Sequence, residues 1–153
     1  MNDHPYLRAY MAGIVAPTVA LLVVLTVFCV ARFVYNVPAP IERLIVFPMA
    51  VVPNIFGLWN MLYVRLRAYW PAPIGLHGAL LPFLLGPVGF VLARSLGFLK
   101  LTSDGFEKKI VGFGIVHIPY GYAVLVPFFM VAMYYLIWKY IVGFLNELQG
   151  IGR

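Results

Sequence analysis

The sequence predicts an all-α, polytopic integral membrane protein, with four transmembrane helices in an antiparallel bundle. Three observations carry this. Four stretches hold no Asp, Glu, Lys or Arg: Ala9–Ala31, Leu44–Val64, Ala68–Ala93 and Ile110–Trp138. Each reaches the roughly 20 residues that a helix needs to cross a hydrocarbon core about 30 Å thick. Only 10% of the 153 residues are charged, and mean hydropathy is +0.95. Soluble domains carry about 25% charged residues, so this chain could not cover a water-facing surface. The third observation is the distribution of aromatic residues. Trp59, Trp70 and Trp138, with Tyr6, Tyr10, Tyr63, Tyr69 and Tyr140, fall where an even number of spans would bring them to one surface. Trp and Tyr concentrate where hydrocarbon meets headgroup.

The elements follow in order within one domain, residues 1–153. The first helix is expected over about 10–34, with Pro17 near its start. Its apolar run exceeds a signal-peptide core, and Val30-Ala31-Arg32-Phe33 is a poor cleavage site, so it is read as a retained span. Asn36-Val37-Pro38-Ala39-Pro40 is a tight connection, since each proline disfavours helix in the residue before it. The second helix covers about 42–66, and Trp70-Pro71-Ala72-Pro73 interrupts the chain again. The third runs over about 74–99. An extramembrane loop follows at about 100–118, with Asp104-Gly105 as a turn signal. Residues 106–118 are β-branched and Gly-containing; they read either as an extended hairpin or as the lower part of the last helix. The fourth helix covers about 119–143, opened by Pro119.

Charge excludes some functions and leaves others open. The net charge of +6 comes from Lys and Arg scattered at span ends, which suits lipid headgroups and not nucleic acid. Orientation is nearly tied. Arg8, Arg65, Arg67, Lys139 and Arg153 mark one side; Arg32, Arg43, Arg94, Lys100, Lys108 and Lys109 mark the other. Both termini are expected on one side, the cytoplasmic side of a bacterial-type inner or other cellular membrane. Cys29 is the only cysteine, and it reads as a small apolar filler.

The most organised pattern lies in the third helix. Gly75, Ala79, Pro82, Gly86, Gly89, Ala93 and Gly97 recur at steps of three or four and share one helix face. Small side chains let backbones approach closely, which drives helix association in lipid. This face is expected to pack against the chain's own helices or, alternatively, to form a seam with a second copy or partner subunit. Pro48 and Pro53 in the second helix, and Pro82 and Pro87 in the third, are both five apart. Paired interruptions can flank a transport site; common helix kinks are the simpler reading. Asn54 reads as inter-helix glue or as a ligand contact, and Asn60 lies on another face. Arg94 snorkels to the membrane surface or forms an anion site with Arg32. The ligand-binding or packing candidates are therefore Pro53, Asn54, Pro82, Gly86, Gly89, Ala93, Arg94 and Gly97.

Chemistry is sparse. No Asp or Glu lies inside a span, where proton relays and cation sites usually need one. His77 opens the third span on one side of the membrane and His117 precedes the fourth on the other, which speaks against a shared haem or metal. No cofactor, metal or catalytic residue is assigned. The leading functional expectation is a non-catalytic accessory subunit or scaffold acting through helix packing. Its partners would be the lipid bilayer and a homo-oligomer or larger membrane complex. One alternative is a small oligomeric transporter or channel for an apolar or anionic ligand between helices two and three. Another is an interfacial lipid-modifying enzyme using His77, Arg65 and Arg67, or Arg94, His117 and Lys108.

Overall fold

The computed structural model describes residues 4–36, 42–110 and 114–151. The expected connection at 37–40, residues 111–113 and Arg153 lie outside them. The chain is mostly helical, 77%, and contains four helices long and apolar enough to cross a membrane: α1 Pro5–Val34, α2 Phe47–Leu66, α3 Ile74–Ser95 and α4 Tyr120–Leu148.

Proline and local winding set the helix limits. Pro5 stands in the first turn of α1, where its missing N–H costs no hydrogen bond. The last turn of α1, Val30–Val34, widens to π winding before Asn36 turns left-handed at φ 48°. A second π-wound segment, Glu42–Val46, leads into α2. Arg32 and Glu42 join these two segments through an ion pair at 3.3 Å.

Pro73 caps α3 in extended geometry. Within α3, Pro82 cannot supply an N–H to the carbonyl of Gly78. The helix tightens there, and Leu80 N–H turns to His77 O at 3.3 Å. α3 stops at Gly97, whose φ is +74°. Phe98 N–H returns to Ala93 O at 2.9 Å and Gly97 N–H to Arg94 O at 3.0 Å, a Schellman ending. α4 ends the same way. Gly150 has φ +71°, with Ile151 N–H on Asn146 O at 2.8 Å and Gly150 N–H on Glu147 O at 3.0 Å.

Between α3 and α4 the chain is not helical, which amends the all-α expectation. Strands β1 Leu99–Leu101, β2 Gly105–Ile110 and β3 Gly114–Pro119 form an antiparallel sheet in the order β1-β2-β3. Leu101 pairs with Phe106, and Phe106 with Ile118. Of the two readings of 106–118, the extended one is observed over the described residues 106–110 and 114–118. Local pairing after the Asp104-Gly105 turn satisfies the backbone groups that a continuing helix would otherwise have satisfied. Phe106 stands edge-on to Phe90 and Tyr120, at centroid distances of 6.0 and 4.9 Å. Tyr120 also donates its hydroxyl to Thr102 O at 2.7 Å, so the sheet is tied to the start of α4.

The interior is small. Phe56, Leu81, Trp138 and Val142 form its centre, with Val52, Ile55, Trp59, Ile74, Tyr134 and Ile137 against it. No more than 17% of any of the four apolar windows is buried. The outer surface is therefore overwhelmingly apolar, a composition that favours lipid over water as solvent.

Candidate functional site

Two regions of contrasting packing define the site. At one end of the molecule, α1, α2, α3 and α4 meet closely. Trp138, Val142 and Asn146 are all buried, and their spacing of four residues places them on one face of α4. Asn60 on α2 faces them. Asn60 Nδ2 donates to Asn146 Oδ1 at 2.7 Å and to Ala9 O at 2.8 Å; Asn146 Nδ2 donates back to Asn60 Oδ1 at 3.0 Å. Three helices are thus clasped by one buried amide pair. Arg8 donates to Gln149 O at 3.5 Å and Arg67 to Ile151 O, so the end of α4 is held from α1 and α2 as well.

Glycine makes this close approach available. A Cβ on Gly13 would lie 2.7 Å from Phe56 O and 2.9 Å from Gly57 Cα. One on Gly57 would meet the Tyr10 ring at 2.6 Å, one on Gly75 would meet Tyr135 at 2.8 Å, and one on Gly78 would fall on the Trp138 side chain. The tight helix crossings are therefore Gly13 with Gly57, and Gly75 and Gly78 with α4.

His77 fills the space beside this crossing and is 1% exposed. The rings of Trp70 and Tyr63 stand 4.8 and 5.1 Å from it, and its backbone carbonyl accepts the Trp59 Nε1 hydrogen at 2.9 Å. Among the described residues, neither ring nitrogen of His77 has a hydrogen-bond partner, nor does Trp138 Nε1.

The second region is the remainder of α3, and it is open. Among the described residues, nothing lies within 4 Å of a Cβ built on Gly86, Gly89 or Gly97. Pro82 and Ala93 are half-buried, and Arg94 is exposed. Of the small residues that share the face of α3, only the first part, Gly75 and Ala79, is buried against the chain's own helices. Gly97 owes its presence to the left-handed ending described above, which a residue with a Cβ disfavours.

The structure does not gather the remaining candidates into one place. Pro53 is buried within α2. Asn54 is exposed and accepts the Tyr10 hydroxyl at 2.5 Å, which ties it to α1 and not to α3. Arg32, considered as a companion of Arg94, pairs with Glu42. His117 lies on β3, 3.4 Å from Asp104. Among the described residues, no three His, Cys, Asp or Glu side chains are grouped to hold a metal ion.

Sequence reasoning missed Asn146, which lies beyond the expected fourth helix of about 119–143. The signal was present in the spacing Trp138, Val142, Asn146, which continues the helical face four residues at a time. It weighed His77 as half of a metal pair and as a residue of an interfacial enzyme.

These features define a class: a chain built on four helices of bilayer length, closed at one end and open along the far part of one helix. Comparison with protein-family models, curated proteins and solved structures finds no match.

Proposed function

We propose that this chain is a non-catalytic integral membrane subunit that works by helix packing. In this reading the four helices cross the bilayer as an antiparallel bundle, with both chain ends at one surface. The exposed part of α3 receives a transmembrane helix from a second copy or from a larger complex. The observation that carries the reading is the contrast along α3. A Cβ on Gly75 or Gly78 would meet α4, whereas one on Gly86 or Gly89 has nothing within 4 Å among the described residues. In lipid there is no hydrophobic gain from covering such a face, so close backbone approach is what makes it useful.

The test is assembly in the native membrane. Solubilised with mild detergent, the wild-type chain should migrate as a complex of fixed stoichiometry. Gly89→Leu or Ala93→Leu should release it as a smaller species while leaving the fold intact. An unchanged particle size in both variants would sink the packing role. Substrate flux in liposomes that hold this protein alone would count against it equally.

A further inference from the structure

A groove runs along the outer side of the closed end, with a volume of about 420 Å³ and lined by Tyr6, Leu58, Met61, Leu62 and Arg65. Its size lies in the range of about 300–1,000 Å³ common for small-molecule sites. The chemistry of its wall changes along one line. Leu58, Met61, Leu62 and Arg65 stand at steps of three or four, so they share one face of α2. The lower part of that face is apolar, and its last turn is a guanidinium. Tyr6 of α1 forms the opposite wall and carries a phenol. A second hollow, of about 500 Å³, is lined by His4, Pro5, Tyr6 and Leu7.

Arg65 differs from its basic neighbours. Arg8 and Arg67 are engaged with the carbonyls of Gln149 and Ile151. Lys139 sits over the rings of Tyr140 and Tyr135, at 5.0 and 5.8 Å. Arg65 is exposed at the groove. The described cations of this end, Arg8, Arg65, Arg67 and Lys139, face one described acid, Glu147.

We infer that this groove binds an anionic phospholipid. The phosphodiester sits on Arg65, and one acyl chain lies along Leu58 and Leu62. A guanidinium offers two parallel N–H donors that match the phosphate oxygens. The Tyr6 hydroxyl can donate a further hydrogen bond. The apolar wall directly beneath the charge suits a ligand whose charged and apolar parts are joined, as in a lipid. The excess of positive charge at this end favours a headgroup with net negative charge over a zwitterionic one. The inference rests on the membrane reading above.

The experiment uses the full chain in nanodiscs of phosphatidylcholine with a minor fraction of phosphatidylglycerol. Native mass spectrometry reads the phosphatidylglycerol retained per chain. Wild type should retain it selectively. Arg65→Gln should lower retention about tenfold, the loss of one strong charge-assisted contact, and Arg65→Lys should restore part of it. Leu62→Asn should also weaken retention, because the apolar wall is part of the site. Lys139→Gln removes the same charge elsewhere at this end and should lower retention far less than Arg65→Gln. Equal retention by Arg65→Gln and wild type overturns the site, as does an equal loss in Lys139→Gln. Displacement of the lipid by millimolar inorganic phosphate would also overturn it, since it would make the acyl contact irrelevant. Carbonate extraction separates the two readings. A chain that resists carbonate but shows no Arg65 dependence overturns the lipid site alone, whereas a wild-type chain released by carbonate overturns the membrane reading.

Discussion

Asn60 and Asn146 each donate an amide hydrogen to the other's side-chain oxygen, at 2.7 and 3.0 Å, and both are almost fully buried. The second hydrogen of the Asn60 amide goes to Ala9 O at 2.8 Å, so one residue of α2 holds both α1 and α4. Such a pair stabilises only while it is complete. Removal of one member leaves a buried polar group without a partner, at a cost of about 1–3 kcal/mol.

The first prediction concerns this clasp. Asn60→Leu and Asn146→Leu should each destabilise the protein by about 1–3 kcal/mol. The double variant should lose clearly less than the sum, since it leaves no orphaned amide between the two positions. Titration with SDS in mixed micelles would read the difference. Strict additivity would show that the two amides do not act as a pair.

The two glycine environments make opposite predictions for one substitution. Gly78→Ala drives a methyl into Trp138 and should cost about 1–3 kcal/mol or more. Gly86→Ala meets nothing within 4 Å and should stabilise the isolated chain by about 0.5–1 kcal/mol, because alanine is the better helix former. Gly97→Ala is also uncrowded, yet it requires alanine at φ +74° and should cost about 1 kcal/mol. Thermal unfolding in detergent would rank the three. Equal effects at Gly78 and Gly86 would contradict the described crossing of α3 and α4.

His77 presents a different balance. Its two ring nitrogens have no partner among the described residues, whereas its ring packs against Trp70 and Tyr63. His77→Phe keeps the shape and removes the unpaired groups. It should change stability by less than about 1 kcal/mol, or raise it. His77→Ala leaves a void and should cost about 2–4 kcal/mol. A large loss of stability in His77→Phe would show that the ring nitrogens are engaged by a bound species.

Labelling tests the arrangement of the ends. In a Cys29→Ser background, single cysteines at His4, Leu148 and Asp104 are read with a membrane-impermeant maleimide. Positions 4 and 148 should react from one face of the membrane, and position 104 from the other. Reaction of 4 and 148 from opposite faces would overturn the four-span arrangement.

Much of the architecture was legible because it is encoded locally. An uninterrupted apolar length, a proline that cannot donate and an Asp-Gly turn act within one segment, so their effect needs no partner. The sheet was only half legible. The β-branched residues of 106–118 suit a strand, but a strand exists only once Leu101, Phe106 and Ile118 are paired across the ladder. The site was less legible still. Gly89, Ala93 and Gly97 have good spacing for close packing, yet the chain's own tight crossings use Gly13, Gly57, Gly75 and Gly78.

By itself the sequence determined four apolar lengths and the surplus of basic residues at their ends. Those properties follow from the transfer of side chains between water and lipid, and each residue contributes to them separately. Only the tertiary structure decided which glycines meet another helix and that Asn60 finds Asn146 86 positions away. Such facts depend on where one helix crosses another. In an apolar solvent every face of a helix is equally comfortable, so hydropathy carries no record of which face is turned inward.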